Sequence, residues 1–151
     1  MNNKKQRSGV RIHRAEIEIK LSGRTDWWIK KAVRACFKKE KSAAVYDLDI
    51  IFVHDRYIRG LNREYLGKNN RTDVLCFPYN SGNTLQADMF ISVDSCRRQA
   101  VSYGHTTLRE ILFVVVHGVL HLLGWEDRSP ASRKKMWLRQ EQILSATGVP
   151  G

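Results

Sequence analysis

The sequence has little of what marks an exported or membrane-spanning protein. Its 151 residues include only three cysteines, Cys36, Cys76 and Cys96, and no Cys-x-x-Cys pair. This pattern does not suit a disulfide framework and is typical of free thiols in a reducing compartment. No apolar run approaches the ~20 residues that span a bilayer. The basic segment 1–16 is not followed by the apolar stretch of a secretory signal. We therefore expect a soluble cytoplasmic protein without a membrane partner.

Acidic residues are also scarce. Fifteen Asp and Glu stand against 26 Lys and Arg, which gives a formal net charge of +11. Lys and Arg displace the counterions condensed on phosphates, so this charge favours a nucleic acid partner over a basic surface kept for solubility. The hydrophobic share of 42% and charged share of 27% are those of ordinary globular proteins.

The hydrophobic pattern predicts an α/β (α+β) fold: one domain over residues 11–151, preceded by a basic, flexible N-terminus at 1–10. A small four-stranded mixed sheet is expected, packed with about five helices. The predicted strands are 12–21, 44–53, 74–77 and 89–93. The predicted helices are 25–41, 55–65, 94–103, 108–123 and 130–146, with Thr25 or Asp26, Asp55, Asp94, and Thr106 or Thr107 as the first four caps. The helix over 108–123 is apolar on most sides, which indicates a central position.

Two of the five histidines lie in this central helix, four residues apart. Residues at i and i+4 are offset by about 40° around a helix and ~6 Å along it. The imidazoles of His117 and His121 can therefore converge on one metal ion at ~2.0–2.1 Å. The alternative is a pair of core histidines that are hydrogen-bonded to the backbone.

The residues after the pair favour the metal site. In a continued helix, residue 127 would lie about 120° away from His121. Gly124 can take the left-handed conformation that ends a helix and turns the chain. Beyond that turn, Asp127 or Glu126 can return as a third ligand. Two histidines and a carboxylate would leave one position open for water.

The spacing is also similar to the extended zinc-protease motif HExxHxxGxxH. In those proteases the residue after the first histidine is the glutamate that acts as general base, and here it is Gly118. A zinc metallopeptidase remains an alternative, although this chain lacks the glutamate that transfers protons in those enzymes.

Three blocks, in order, resemble the YbeY family of metal-dependent endoribonucleases, the bacterial rRNA maturation factors. HGVLHLLGWED at 117–127 is similar to the family signature HGxLHLxGYDH. LNREYLGKNNRTDVLCFPY at 61–79 resembles LNxxYRGKDxPTDVLSFP, and ADMFISVD at 87–94 resembles the GDIxIS strand. Met136 and Glu141 fall where the closing helix of the family carries a Met and a Glu.

The resemblance implies a metal-dependent endoribonuclease that cleaves single-stranded RNA, with the 3′ end of small-subunit (16S) rRNA as substrate. It implies one divalent metal ion, expected to be Zn²⁺, on His117, His121 and Asp127, although the third ligand of the family is usually a histidine. A carboxylate lowers the positive charge of the site, which should make it more tolerant of harder metals.

The resemblance also leaves roles open. Leu66 stands where the family commonly has an arginine thought to assist on the phosphate, and Arg63 or Arg71 are candidates to replace it. Glu126 and Glu110 are open candidates for proton transfer. A non-catalytic RNA-binding or ribosome-assembly factor with a structural metal remains the rival hypothesis. A fourth protein ligand would favour that rival, whereas three ligands plus water would favour catalysis.

Basic and aromatic residues supply candidates for binding RNA. The basic face of the first helix and the loop after the second are expected to contact phosphates. These candidates are Lys30, Lys31, Arg34, Lys38, Lys68 and Arg71. Trp27 and Trp125 are candidates to stack bases, with core packing as the alternative for Trp125, whereas Trp28 fits the core pattern. The oligomeric state stays open.

Overall fold

The computed structural model describes residues 7–16, 19–68 and 72–151. Within these residues it contains four strands and five helices, as the sequence predicts. The strands are β1 (Gly9–Arg14), β2 (Val45–Val53), β3 (Val74–Pro78) and β4 (Thr84–Ser92). The helices are α1 (Thr25–Lys39), α2 (Asp55–Leu66), α3 (Val93–Tyr103), α4 (Thr107–Leu122) and α5 (Pro130–Thr147).

The strands form one mixed sheet in the order β1-β2-β4-β3, so the predicted fold class is confirmed. β2 pairs in parallel with both β1 and β4, whereas β3 pairs antiparallel with β4. Because side chains alternate along a strand, the two faces of the sheet differ. Leu48, Ile50 and Phe52 of β2 are fully buried in the main core, whereas Asp47 and Asp49 lie on the opposite face.

Helix α4 lies at the centre of the main core. It packs against α1, α3 and α5 as well as β3 and β4. Val115, Val116 and Val119 have no exposed surface, which explains why its sequence is apolar on most sides. Helix α2 contacts β3 and β4, where Ile58 joins a smaller cluster with Val53 and Leu75. Among the described residues, no helix has both the length and the apolarity that crossing a membrane requires.

Three sequence predictions need correction. The first strand spans Gly9–Arg14, so it begins and ends earlier than the predicted 12–21, because these six residues pair with residues 47–52 of β2 and place Val10 and Ile12 against the main core. The fourth strand begins at Thr84, five residues earlier than predicted, since its first half pairs with β2. The predicted caps of the first three helices lie inside or at the start of the helices, and the N-cap residues are Arg24, His54 and Ser92. Thr106 does cap α4.

Asp55 joins the first turn of α2 to the first turn of α3. Its carboxylate accepts hydrogen bonds from Ser92 Oγ at 2.5 Å and Ser95 Oγ at 3.0 Å, and Arg98 Nη1 lies 2.7 Å away. In return, the side chain of Asp94 accepts a hydrogen bond from the backbone N–H of Asp55 at 2.9 Å. Burial raises the pKa of Asp55, but the hydrogen bonds from Arg98, Ser92 and Ser95 outweigh it and hold the pKa at about 2.

We expect Asp55→Asn to lower the free energy of unfolding by about 1–2 kcal/mol at neutral pH, since it removes charge-assisted hydrogen bonds at a part-exposed site. The folded-state pKa lies below the ordinary value of 3.8. The wild-type advantage should therefore be complete above about pH 4 and disappear as the pH falls towards about 2. Urea unfolding of both proteins across this range measures it. Asp47→Asn, which removes a more exposed partner of Arg11, is the control and should cost less. A deficit independent of pH would contradict this account.

Candidate metal centre

The two histidines of α4 converge as their spacing predicts. His117 Nε2 and His121 Nε2 lie 3.0 Å apart, and the ring centroids are separated by 4.5 Å. Their side chains keep 27% and 34% of their surface exposed. They are therefore not core histidines, and their facing nitrogens remain accessible to an ion and to substrate.

The chain turns directly after α4 and returns a carboxylate to this pair. Gly124 has a φ of +99°, and its N–H donates to the carbonyl of His121 at 3.0 Å. Asp127 Oδ2 consequently lies 3.5 Å from His117 Nε2 and 3.3 Å from His121 Nε2. Of the two carboxylates considered as third ligand, Asp127 joins the cluster, whereas Glu126 is exposed and lies outside it.

The three ligand atoms have the spacing that a small tetrahedral cation needs. Ligands at ~2.0–2.1 Å from a tetrahedral zinc ion lie about 3.3 Å from one another. The observed separations of 3.0, 3.3 and 3.5 Å bracket that value. In the described part of the chain this is the one group of three or more potential ligands. The donor set thus fits a metal ion with a fourth position free.

Each histidine is held by a hydrogen bond at its Nδ1 atom. The carbonyl oxygen of Trp125 lies 2.9 Å from His121 Nδ1, and Gln140 Oε1 lies 3.2 Å from His117 Nδ1. Gln140 Nε2 in turn donates to the carbonyl of Phe113 at 3.3 Å, which fixes the orientation of the amide. Because both partners are acceptors, each Nδ1 carries the proton and each Nε2 presents a lone pair. Gln140 was not among the candidate residues predicted from the sequence. The one indication of its role is that a polar residue occupies a buried position of α5.

Trp125 ties this turn to two other helices. Its Nε1–H donates to Glu40 Oε2 at 3.1 Å, and the guanidinium of Arg139 lies over its ring at 5.3 Å. Glu40 Oε1 lies 3.1 Å from Arg139 Nε as an ion pair, without hydrogen-bond geometry. The ring is half-buried against the main core. This arrangement favours the packing interpretation of Trp125 over base stacking.

Gly118 packs closely against the sheet, and a larger residue at this position would displace the side chain of Met89. A Cβ at this position would lie 2.7 Å from Met89 Cε and 2.9 Å from Met89 Sδ. The position after the first histidine therefore faces the sheet, away from the ligand atoms. The glutamate that acts as general base in zinc proteases is absent from this position, which disfavours the metallopeptidase alternative.

A cavity of about 530 Å³ opens beside the cluster, between α3, α4 and α5. His117 and Asp127 line one end of it, and His105 and Glu110 also line it. Glu110 is 2% exposed, and its Oε2 lies 2.6 Å from His105 Nε2. Burial raises the pKa of Glu110, and the hydrogen bond with His105 opposes this. The sequence alone did not place His105 near the site, because its contact with Glu110 is apparent only in the folded chain.

The remaining histidines and the family's arginine position lie elsewhere. His13 contacts Asp49, and His54 contacts Asp94. Leu66, at the end of α2, is 51% exposed, and Arg63 is exposed without lining the cavity. Asn69 and Arg71 lie outside the described residues.

The predicted basic face of α1 is open to solvent. Lys30, Arg34 and Lys38 are exposed along one side of the helix. Trp27 is 48% exposed, with Lys31 Nζ 5.1 Å from its ring centroid. Trp28 packs against the main core, as predicted.

Known proteins resemble this chain over most of its length. A family model described as endoribonuclease YbeY matches residues 11–148. An endoribonuclease YbeY of Halalkalibacterium halodurans is 37% identical over 143 residues, which cover 85% of this chain and 90% of that protein. One from Acholeplasma laidlawii is 42% identical over 113 residues, covering 74% and 79%. The solution structure of a Thermotoga maritima protein has a similar fold, with a TM-score of 0.61 and 24% identity over 92% of this chain and 89% of that one.

We expect the purified protein, after zinc is supplied, to hold about one zinc ion per chain, since three ligands suffice to bind it. His121→Ala and Asp127→Ala should both lose the ion, as measured by elemental mass spectrometry. Glu126→Ala is the matched control, because it removes the neighbouring carboxylate and should keep the metal. Metal retained by Asp127→Ala and lost by Glu126→Ala would reverse the ligand assignment.

Proposed function

Because the chain belongs to the endoribonuclease YbeY family, we propose that it cleaves single-stranded RNA at a mononuclear zinc site formed by His117, His121 and Asp127. Its substrate is the 3′ end of 16S rRNA, so it acts in the cytoplasm in rRNA maturation, quality control and ribosome biogenesis. The inference that rRNA is the substrate rests on the resemblance to the rRNA maturation factors. Residues 11–151 form the single catalytic domain.

One observation supports the metal-dependent mechanism: three ligand atoms lie at tetrahedral spacing on part-exposed side chains, and no fourth joins them among the residues that the structure describes. Of the histidines outside the cluster, His13 and His54 are engaged by aspartates and His105 by Glu110. None supplies the fourth protein ligand of a structural zinc site. The open position supports catalysis over a purely structural metal.

A metal ion held by His117, His121 and Asp127 would supply a Lewis acid for a phosphoryl oxygen and a more acidic water. The chain itself holds both Nε2 atoms in place through Trp125 and Gln140 and leaves one side of the cluster open to RNA. Of the two carboxylates considered for proton transfer, Glu110 lies two helical turns from His117, about 10 Å along α4. Glu126, exposed beside Asp127, is the better situated of the two.

The rival hypothesis, a non-catalytic RNA-binding factor, draws on one departure from the family pattern. Leu66 is uncharged and cannot form an ion pair with a phosphate. It is 51% exposed at the end of α2. A missing arginine would weaken stabilisation of the phosphate without removing the metal. An assay of cleavage separates the two functions.

We expect the zinc-supplied protein to cleave a single-stranded RNA that matches the 3′ end of 16S rRNA. His117→Ala should lower the rate at least about 100-fold, because loss of a ligand exceeds the 10–100-fold effect of its supporting contacts. Asp127→His, which restores the usual family ligand, should keep the activity, and Glu64→Ala on α2 is the control. RNA that binds the zinc-loaded protein but stays intact would favour the rival hypothesis. Product analysis on gels measures each rate.

We further expect the face of α1 to bind RNA phosphates. A triple variant, Lys30→Gln, Arg34→Gln and Lys38→Gln, should lower the slope of log affinity against log salt by about 2, at ~0.7 per lost contact with a single strand. Arg56→Gln, Arg59→Gln and Lys134→Gln, at exposed positions outside α1, remove the same charge and form the matched control. Fluorescence anisotropy at several salt concentrations measures both. Equal losses in the two variants would show that only the total charge matters.

A further inference from the structure

The cavity beside the metal cluster has the character of a base-binding subsite. We propose that it binds a nucleobase of the RNA that carries an exocyclic amino group, next to the phosphodiester held at the cluster. This inference rests on the proposed function, because the cleaved phosphodiester is what places the base there. Tyr103, Glu110 and Trp137 are among the residues that line it.

The position of the cavity suits a neighbouring nucleotide. Glu110 and His117 are seven residues apart, which puts them on the same face of α4 and about 10 Å apart along its axis. A stacked strand advances ~3.4 Å per nucleotide, so this distance corresponds to no more than about three nucleotides. A strand with one phosphate at the cluster can therefore extend a nearby base into the cavity.

The charges inside the cavity do not suit a second phosphate. Away from the metal ligands, three carboxylates and two arginines line it. Arg109 is paired with Glu141 at 2.9 Å, and Arg133 Nη1 donates to the carbonyls of Asp127 at 3.4 Å and Arg128 at 3.5 Å. Both guanidinium groups are therefore engaged, in a chain whose net charge is +11. A neutral base fits this environment better than another anionic group.

The carboxylates do not form a second metal site either. In residues 7–16, 19–68 and 72–151, the cluster of His117, His121 and Asp127 is the one group whose ligand atoms come together. Glu110 and Glu141 each have one partner, His105 and Arg109. Because an ionised carboxylate has about four acceptor sites, these groups can still accept hydrogen bonds from an organic ligand.

Two large aromatic side chains on different helices border the cavity and remain accessible. Tyr103 at the end of α3 is 71% exposed, and Trp137 on α5 is 53% exposed. Aromatic rings left open to water beside a pocket are the groups on which single-stranded bases stack. The ring of Tyr103 also stacks on that of His105, with the centroids 5.8 Å apart.

The polar groups favour bases that donate hydrogen bonds. Asp73, Glu110 and Glu141 are acceptors when ionised, and adenine, cytosine and guanine present amino N–H donors. Uracil places a carbonyl oxygen where cytosine has its amino group, so it would set an acceptor against a carboxylate. The subsite should therefore discriminate against uracil.

Binding is tested without cleavage, with zinc-supplied protein and short 2′-deoxy strands that each carry 2-aminopurine at a different position. We expect one position to show fluorescence quenching by stacking, and Tyr103→Ala or Trp137→Ala to remove most of it. Tyr57→Ala and Tyr79→Ala are the controls, since these residues are 46% and 48% exposed but do not line the cavity. Quenching that survives both cavity variants would overturn the subsite.

Specificity is tested on cleavable strands that differ only at the quenched position. We expect kcat/KM to be about tenfold higher with cytosine or adenine there than with uracil, the scale of one base contact. Asp73→Asn combined with Glu141→Gln should abolish the preference while zinc content stays unchanged. Cleavage without any base preference would overturn the subsite and leave the proposed function standing. Quenching at one position without cleavage would instead overturn the proposed function and support the subsite.

Discussion

The metal centre depends on one reversal of the chain, at Gly124. A straight continuation of α4 would carry residue 127 about 120° away from the histidine face. The φ of +99° at Gly124 ends the helix, and the N–H of Trp125 returns to the carbonyl of Leu120 at 3.0 Å. A side chain at this backbone conformation would cost of order 1–2 kcal/mol. The third ligand is therefore available only because a residue without Cβ stands between it and the second.

The orientation of the ligands is determined by packing between helices. His121 is held by the carbonyl of Trp125, whose indole is anchored on Glu40 at the end of α1. His117 is held by Gln140 of α5. Side chains from α1, α4 and α5 thus set the direction of both Nε2 lone pairs, so the core that stabilises the fold also preorganises the site. Half-exposed ligands on rigid helices can then bind an ion without rearrangement.

The sequence predicted what local pattern and chain geometry determine. The apolar run of α4, the four-residue spacing of His117 and His121, and the glycine break were sufficient to locate the centre. The choice between Glu126 and Asp127 required the turn itself, because adjacent residues after a break point in different directions. β1 was misplaced because its bounds follow from its pairing with β2, which the local hydrophobic pattern does not record.

Pairings between distant segments could not be predicted in this way. Gln140 lies 23 residues from His117, and Glu40 lies 85 residues from Trp125. His105 and Glu110 are close in sequence, yet their 2.6 Å contact depends on the turn that begins α4. A single sequence records that such residues are polar, and the fold decides which of them meet.

The distribution of charge explains how a strongly basic protein can still hold RNA in one register. Free cations that bind phosphate act without regard to sequence, and a cleft lined with them would accept a strand in many registers. Here the exposed cations of α1 lie on an outer face, whereas the arginines in the cavity are engaged by Glu141 and by backbone carbonyls. The outer face attracts RNA whatever its sequence, whereas the metal cluster binds one phosphate and the acceptor-rich cavity binds one base. Because both cavity arginines are held by groups of the protein, the position of the strand is determined by the metal cluster and the cavity acceptors rather than by free cations.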